Sequence, residues 1–442
     1  MAFSTQILPQ LQSKQHVKRW VVGFSGGLDS SVLAYMVHQW VASGALAQPL
    51  HLIHINHQLS PLATDWQRHC EQYAKVWGVT IEVVRVSVSA DKHGIEAAAR
   101  VQRYQAFEQL LSAGDCLLLG HHQNDQAETL LLRLLRGAGV LGLGAIPADR
   151  QVGRHPLLRP LLTISREQLH RYAAKHQLSW VDDDSNQSLA FDRNYLRHQV
   201  LPPLVERWPS TIKQLQKTAG IMQETQLLLT DLATLDLLQA DEQNERWGVS
   251  IDCRVLSVLS RPRQDNLLRY WLAQHQFALP EQAQLQQLHQ QLLMGEPTHT
   301  QAVICWSGVE LRRFNDRLYL SSVLPAFADP GVCTWDIRRP ITVAGNHLSV
   351  TPETQGGLHL PDGSCEVRWR RGGERCCPEG RAHSQVLKKL LQEYQLETWL
   401  RDRVPCIYVD NHLAAVGDLW VCRDFVAPKG LPGYRLHWDI CP

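Results

Sequence analysis

The sequence predicts an α/β protein. A parallel sheet covered by helices occupies residues 1–210, a mainly helical segment follows over 211–330, and a small α+β segment closes the chain over 331–442. Three observations carry this. Short apolar runs alternate with amphipathic stretches through the first segment, the rhythm of a parallel sheet. A Gly-Gly turn joins the first such run directly to the first helical stretch. After Trp208-Pro209 the composition turns Leu- and Gln-rich, and from Thr300 onward short β-like runs separated by Gly, Pro, Asn and Asp take over.

The elements follow in order. Arg19–Phe24 is a buried-strand run, and Ser30–Ser43 carries Val32, Leu33, Met36, Val37, Trp40 and Val41 at helical spacing. His51–His57 reads as a strand, Asp65–Trp77 as a helix and Ile81–Val88 as a strand. Glu96–Leu111 is a long amphipathic helix ending near Gly114; Cys116–Gly120 is a strand, and Asn124–Arg136 a helix stopped by Gly137. In such sheets ligands bind beyond the carboxyl ends of the strands. Residues 211–295 read as helices up to the Gly295-Glu-Pro297 break, Pro325–Pro330 as a linker, and Ser384–Tyr394 as the one clear helix of the last segment.

Composition narrows the class. Of 442 residues, 44% are hydrophobic and 20% charged, which excludes a disordered chain. No apolar run approaches the ~18 residues of a membrane span, and Met1–Lys18 lacks a long apolar stretch, so a cytoplasmic protein with no membrane partner is expected. Lys+Arg is 44 against Asp+Glu 43. A polyanion must therefore meet a local patch, because no global basic surplus exists. The 11 cysteines are scattered without a CxxC pair, which reads as reduced thiols rather than a disulfide framework or zinc ribbon.

Ser25-Gly-Gly-Leu-Asp-Ser30-Ser31 is the strongest motif. Glycines allow a tight turn and close approach of a ligand, and the following helix start offers unpaired N–H groups with positive dipole character. The serines add hydroxyls, so the stretch suits a phosphate or pyrophosphate. It has neither the Gly-Lys-Ser/Thr of a Walker loop nor the third glycine of a dinucleotide fingerprint. Asp29 inside an anion-binding loop calls for a cation, and magnesium bridging it to phosphates resolves the conflict. The plain alternative is a Gly-Gly turn with a Ser cap.

The second constellation is Gly120-His-His-Gln-Asn-Asp-Gln-Ala-Glu-Thr129, where Asp125 and Glu128 share one helical face. These carboxylates suit a second magnesium or an ammonium group; the bland reading is a helix start capped by Asn124 or Asp125. The Gly-rich stretch after Arg136 suggests a flexible loop beside the site. Trp180-Val-Asp-Asp-Asp-Ser-Asn186 is by itself a solvated turn. Arg193 and Arg197 are four apart on one helix face, as phosphate-contacting arginines would be, and Arg100 and Arg103 are three apart. Surface arginines on helices are common, so each pair alone says little.

Ser25-Gly-Gly-Leu-Asp-Ser30 resembles the PP-loop of the N-type ATP pyrophosphatases, the adenine nucleotide alpha hydrolase-like fold. Together with His54-Ile-Asn-His57, Glu96-Ala-Ala-Ala-Arg100, Arg103-Tyr104, His122–Thr129, Arg136-Gly-Ala-Gly, Pro156–Leu161, Asp183–Asn186 and Arg193–Arg197, the chain resembles the tRNA(Ile)-lysidine synthetases. Arg371-Gly-Gly-Glu-Arg and the Leu387–Leu391 and Trp399–Pro405 stretches resemble that family's C-terminal domain; the middle matches by position only. One departure is Asn124, where the family carries an acidic residue.

The resemblance implies a ligase that adenylates the oxygen on carbon 2 of the wobble cytidine in the CAU-anticodon isoleucine tRNA and displaces AMP with free L-lysine. It implies ATP bound by Ser25, Gly26, Gly27, Leu28, Asp29, Ser30, Ser31, Arg100 and Arg136, with Mg2+ on Asp29. It implies catalysis by Asp29, Glu128, His122 and Arg103, and lysine held by Asp125 and Glu128. For tRNA it implies Arg193, Arg197, Arg370, Arg371, Lys388 and Lys389. Residues 1–210 would be the catalytic domain, 211–330 a substrate-binding domain and 331–442 a tRNA-binding domain, with a homodimer left open. The alternative is another PP-loop tRNA-modifying enzyme such as a base thiolase, which needs a cysteine arrangement near the site. A glutaminase-coupled synthetase lacks its glutaminase segment here. A non-catalytic RNA-binding adapter would not need Asp29 and Glu128. Residues 366–403 hold nine Lys/Arg against six acidic residues, with Trp369, Tyr394 and Trp399 interleaved. That pattern fits an RNA-backbone grip and a solvated charged face equally well.

Overall fold

The structure is a computed structural model describing residues 3–58, 60–87, 95–182, 187–294, 302–354, 356–360 and 362–441. The chain divides into two compact units, 1–228 and 229–442.

The first unit begins with α1 (Ser4–Gln12), β1 (Arg19–Gly23), α2 (Leu28–Ala42), β2 (Leu50–Asn56), α3 (Ala63–Trp77) and β3 (Thr80–Arg85). It continues through α4 (Ile95–Leu110), β4 (Asp115–Leu118), α5 (Gln123–Leu135), α6 (Val140–Leu143), β5 (Asp149–Val152), β6 (His155–Leu158) and α7 (Arg166–Lys175). The strands form one sheet in the order β3-β2-β1-β4-β6-β5, parallel except for the edge strand β5. Central β1 contributes Trp20, Val21 and Val22, all 0% exposed, as a strand covered on both faces must. Val21, Ile53, Leu117 and Phe107 pack on the α4 side; Trp20, Val22, Leu33, Leu52 and Leu169 pack on the other. Each fully buried aliphatic side chain contributes about 1.5–3 kcal/mol.

After α7, residues 183–186 lie outside the described ones, and with them the core of the Asp-rich motif. Next come α8 (Asp192–Tyr195), a π-helical turn over Leu196–Val200, α9 (Leu201–Arg207) and α10 (Thr211–Gln239). The helix expected at 211 starts there, but its first half belongs to the first unit. Ala219 packs with Leu130 and Ala145, and Gln223 Nε2 donates to Gly144 O at 2.5 Å.

In the second unit, β7 (Gln243–Asn244), β8 (Val249–Asp252), α11 (Cys253–Val258), α12 (Arg261–Gln274) and α13 (Gln282–Leu288) precede β9 (Val303–Trp306), β10 (Val309–Phe314) and β11 (Arg317–Ser322). The helices pack Leu267, Leu268 and Trp271 against an antiparallel sheet of order β7-β8-β11-β10-β9. Strand β8 is an addition to the helical reading. Its four residues are too short a period to register in sequence, and pairing with β11 creates it. The Gly295–Pro297 break lies outside the described residues.

The C-terminal segment holds β12 (Cys333–Asp336), β13 (Ile341–Val343), β14 (Asn346–Glu353), β15 (Ser364–Arg368), β16 (Arg375–Cys376), β17 (Gln385–Val386), α14 (Leu387–Glu393), β18 (Cys406–Val409), β19 (His412–Val416), β20 (Trp420–Val421) and β21 (Gly433–Ile440). Sheets β12-β15-β18-β19-β20 and β13-β14-β21 enclose Trp335, Leu387, Ile407 and Trp438. Arg246 ties the two halves of this unit: it donates to the Trp438 carbonyl and pairs with Asp418 at 2.8 Å.

Candidate active site

The Ser-Gly-Gly motif leaves β1 and enters α2 at the carboxyl end of the sheet. Gly26 adopts φ +82°, and a Cβ there would stand 2.9 Å from Cys70 Sγ, so the turn needs glycine twice over. Gly27 caps α2 in an extended conformation with no side-chain cap, which leaves first-turn N–H groups for a ligand. The hydroxyls are partly spent: Ser30 donates to Gly27 O at 3.0 Å and Ser31 to Gly26 O at 3.4 Å. Leu28 is a core side chain, 5% exposed, so only its backbone is available to a nucleotide.

Asp29 sits in the first turn of α2. Its Oδ1 is buried with no hydrogen-bond partner, and its Oδ2 lies 3.5 Å from His122 Nε2. Among the described residues no group of three or more His, Cys, Asp and Glu side chains converges as a metal cage. A carboxylate with an oxygen that has no protein partner, beside a phosphate loop, fits Mg2+, which takes one or two carboxylates with phosphates and water completing its shell.

Gly120 brings the β4 exit onto this loop; a Cβ would meet Asp29 C at 3.0 Å. The cap of α5 is His122, rather than Asn124 or Asp125. Its Nδ1 accepts from Asn124 N at 3.2 Å, and Asp125 Oδ2 accepts from His122 N at 2.9 Å. Asn124 instead accepts from Arg166 N at 3.2 Å and so holds the start of α7. His122 thus lies between Asp29 and Asp125, the latter at 3.6 Å. Burial pulls its pKa down, but Asp125, Asp29 and Glu128 outweigh burial and leave it above its ordinary value. Burial alone would raise the Asp125 carboxyl; His122 and Arg193 hold it well below the usual range. Next door, burial pushes His121 down to about 3, and its Nδ1 is buried without a partner.

Glu128, 1% exposed, is gripped by both downstream arginines. Its Oε1 accepts from Arg197 Nε at 2.7 Å, and its Oε2 from Arg193 Nε at 2.8 Å and Arg197 NH2 at 3.0 Å. The same guanidiniums stand 3.4 and 3.5 Å from Asp125 Oδ1. The π turn after α8 faces Arg197 to the same carboxylate as Arg193, a local irregularity often found at functional sites. The expected phosphate contacts are therefore occupied here by carboxylates, and the expected base is a satisfied acceptor.

The remaining arginines separate. Arg103 Nε lies 3.4 Å from His57 Nε2; burial first and that charge second push His57 down to about 4. Arg136 is 70% exposed and 3.5 Å from Asp192. The Gly-rich stretch forms an ordered turn instead of a flexible loop, because Arg133 NH1 donates to Gly142 O at 2.9 Å and Ala145 O at 2.8 Å. Helical spacing alone marks Arg133 only as a surface charge. Buried Arg159 carries no local signal either: it donates to Pro147 O at 2.7 Å and Tyr104 Oη at 3.3 Å.

Three family models match this chain: a PP-loop domain over residues 2–204, the TilS substrate binding domain over 251–319 and the TilS substrate C-terminal domain over 365–438. A curated tRNA(Ile)-lysidine synthase of Coxiella burnetii is 40% identical over 95% of this chain and 92% of its own. Another, of Serratia proteamaculans, is 38% identical over 98% of both. This chain belongs to the tRNA(Ile)-lysidine synthase family.

Among solved structures, a U34-tRNA thiolase of Methanococcus maripaludis with its iron–sulfur cluster aligns at TM-score 0.43 and 16% identity, over 50% of this chain and 79% of its own. In this lysidine synthase family member the PP-loop domain is an ATP-binding domain, and it contains every residue of the site just described. The thiols within that domain, Cys70 and Cys116, are both pushed by burial up to about 12, which leaves no reactive thiolate. No helix among the described residues is long and apolar enough to cross a membrane.

The basic stretch of the lysidine synthase C-terminal segment is largely neutralised from within. Arg370 stands 3.3 Å from Asp402, Arg371 3.6 Å from Asp329 and Lys389 3.9 Å from Glu393. Among the described residues, Lys388 of this group has no ion pair. Two of the interleaved aromatics are packing, since Trp369 is 3% exposed and Trp399 lies edge-on to Tyr319 at 5.1 Å, whereas Tyr394 is 40% exposed.

Proposed function

We propose that this chain is a tRNA(Ile)-lysidine synthase that joins free L-lysine to carbon 2 of the wobble cytidine of the CAU-anticodon isoleucine tRNA. The observation that carries the reading is Asp29. An unpartnered carboxylate oxygen stands at an uncapped helix start, beside the His122–Asp125 cap, in a chain 40% identical to a named lysidine synthase.

The cytidine O2 attacks the α-phosphorus of ATP and pyrophosphate leaves; the lysine Nζ then attacks carbon 2 and AMP departs. The N–H groups of the 25–31 loop orient the phosphates, with Ser25, Arg100 and Arg136 as further ATP contacts. Mg2+, held by Asp29, would supply charge screening. His122, kept basic by Asp29 and Asp125, holds a proton between the ATP loop and α5. Arg103 stands at the same end of the sheet as a further catalytic cation.

Asp125 and Glu128 supply negative charge for the lysine ammonium. Both Glu128 oxygens accept from the arginines, so the lysine amine reaches Glu128 as one arginine lets go. Arg193 and Arg197 can move from carboxylate to an RNA phosphate, so tRNA docking would expose the acceptor. Lys388, Lys389, Arg370 and Arg371 extend RNA contact into 331–442, with 211–330 as a substrate-binding segment.

The test is incubation with ATP, labelled lysine and the CAU-anticodon isoleucine tRNA, followed by nucleoside analysis. Lysidine with AMP and pyrophosphate in equal amounts is expected. A labelled nucleoside appearing without ATP, or no labelled nucleoside at all, overturns the reading.

A further inference from the structure

Tyr104, on α4, is the centre of an arrangement of arginines of which the reaction above uses only Arg100. The Arg100 guanidinium carbon lies 5.1 Å from the ring centroid and that of Arg150, from edge strand β5, lies 4.8 Å from it. The phenol oxygen accepts from Arg159 NH2 at 3.3 Å, and Arg159 is 3% exposed and pinned to the Pro147 carbonyl. One aromatic ring thus collects three guanidiniums.

Charge balance makes this unusual. Among the described residues, Arg133, Arg150 and Arg159 form no ion pair with a carboxylate. Arg133 and Arg159 donate to backbone carbonyls, whereas Arg150 is exposed, and its Nε donates to Gln151 O at 3.2 Å. The neighbouring His57 and His121 are held neutral, mainly by burial, and add no negative charge. Stacking on a ring returns only about 0.5–1 kcal/mol per exposed cation, while like charges on one ring repel. An assembly of this kind is completed by an anion.

Position identifies the anion. Arg100 lies in the first half of α4, nearest the carboxyl ends of the strands where ligands of such sheets bind, and Tyr104 lies one turn further along. Arg150 sits on β5, three strands from β1 in the order β1-β4-β6-β5. At ~4.8 Å per strand that is about 14 Å from the loop that receives the ATP phosphates. A triphosphate gripped by the N–H groups of that loop is centred nearer β1 than β5. The backbone of an unpaired RNA loop, with a phosphate at every nucleotide, reaches it.

We propose that Arg150, stacked on Tyr104, receives a backbone phosphate of the single-stranded RNA presented to the active site. Arg150 touches the phosphate; Tyr104 is a positioning residue that holds it. The inference rests on the reading of this chain as a tRNA-modifying enzyme.

The test uses the full chain with Arg150→Gln, Arg150→Lys, Tyr104→Phe and Tyr104→Leu. The CAU-anticodon isoleucine tRNA and ATP serve as probes, and tRNA binding is followed across salt concentration. Arg150→Gln should raise the tRNA Kd and KM about five- to tenfold and flatten the log–log salt slope by ~0.7 per lost contact, with the ATP KM unchanged. Arg150→Lys should recover most of the affinity. Tyr104→Leu should match Arg150→Gln, while Tyr104→Phe, which keeps the ring, should stay near the wild type. Unaltered tRNA affinity and salt slope in Arg150→Gln overturn the proposal. So does an equal rise in the ATP KM, which would assign Arg150 to nucleotide phosphate. The binding arm reads Arg150 even if the wild type makes no lysidine, and that failure would strike only the functional reading.

Discussion

Arg193 and Arg197 in the first unit and Arg370 and Arg371 in the second all face carboxylates, but in different surroundings. Glu128, between the first two, is 1% exposed; Asp402 and Asp329, opposite the second two, are 80% and 40% exposed. Water screens the second set, so each such pair is worth about 0–1 kcal/mol. The first set is stripped of water, and breaking it leaves a buried charge uncompensated. Equal-looking arginine pairs therefore differ in cost: the second exchanges carboxylate for phosphate cheaply, whereas the first does so only against the cost of uncovering buried Glu128.

The largest effect should come from Asp29, in the phosphate loop beside the buried set. Asp29→Ala should lower lysidine formation by at least about 10²–10³-fold while tRNA still binds, because no neighbour can replace an unpartnered oxygen. Turnover and filter binding measured together decide it; retained turnover at normal magnesium would remove Asp29 from the site.

Glu128→Gln should follow. It leaves Arg193 and Arg197 facing a neutral amide, with an expected loss of about 3–5 kcal/mol. Thermal unfolding reads the loss, and lysine KM should rise more than ATP KM. An unchanged melting temperature would mean that the arginines already spend their time elsewhere, and the contrast between the two regions would fail.

The pH dependence sharpens the same contrast. His121 and His57 are held below the ordinary value, to about 3 and about 4, so the unfolded chain binds protons that the folded one refuses. Their contribution is intact above about pH 6.5 and is lost progressively as pH falls toward those folded values. His122, raised, works oppositely: its contribution is present below about pH 6.5 and lost as pH rises through its folded value. The urea midpoint of the first unit, followed by pulsed hydrogen exchange in β1 and β4, should fall between pH 6.5 and 4.5. His121→Asn should flatten that limb. A midpoint level across this range would show both rings to be solvated.

The smallest effect belongs to the exposed set. Lys388→Ala with Lys389→Ala should weaken tRNA binding severalfold and reduce the salt slope by ~0.7–0.9 per lost phosphate contact, with ATP binding and melting temperature unchanged. No change in tRNA affinity would return α14 to a packing role.

Much of this was legible from residue order alone. The β1-to-β4 alternation, the glycine turn after β1 and the placing of Asp29, His122, Asp125 and Glu128 at strand ends follow from apolar period and from glycine's freedom at positive φ, which are local properties. Local spacing also showed that Arg193 and Arg197 share a face. It could not show what they meet, because Glu128 is 65 and 69 positions away and reaches them only through the sheet. The same limit hid Arg133 and Arg159, whose partners are carbonyls of turns that exist only once the chain has folded, and β8, four residues that become a strand by pairing with β11. Sequence determined which chemistry stands at which strand end. Tertiary structure decided which of those charges face each other, which are dry, and which are left for a ligand, because burial and pairing depend on residues far apart in the chain.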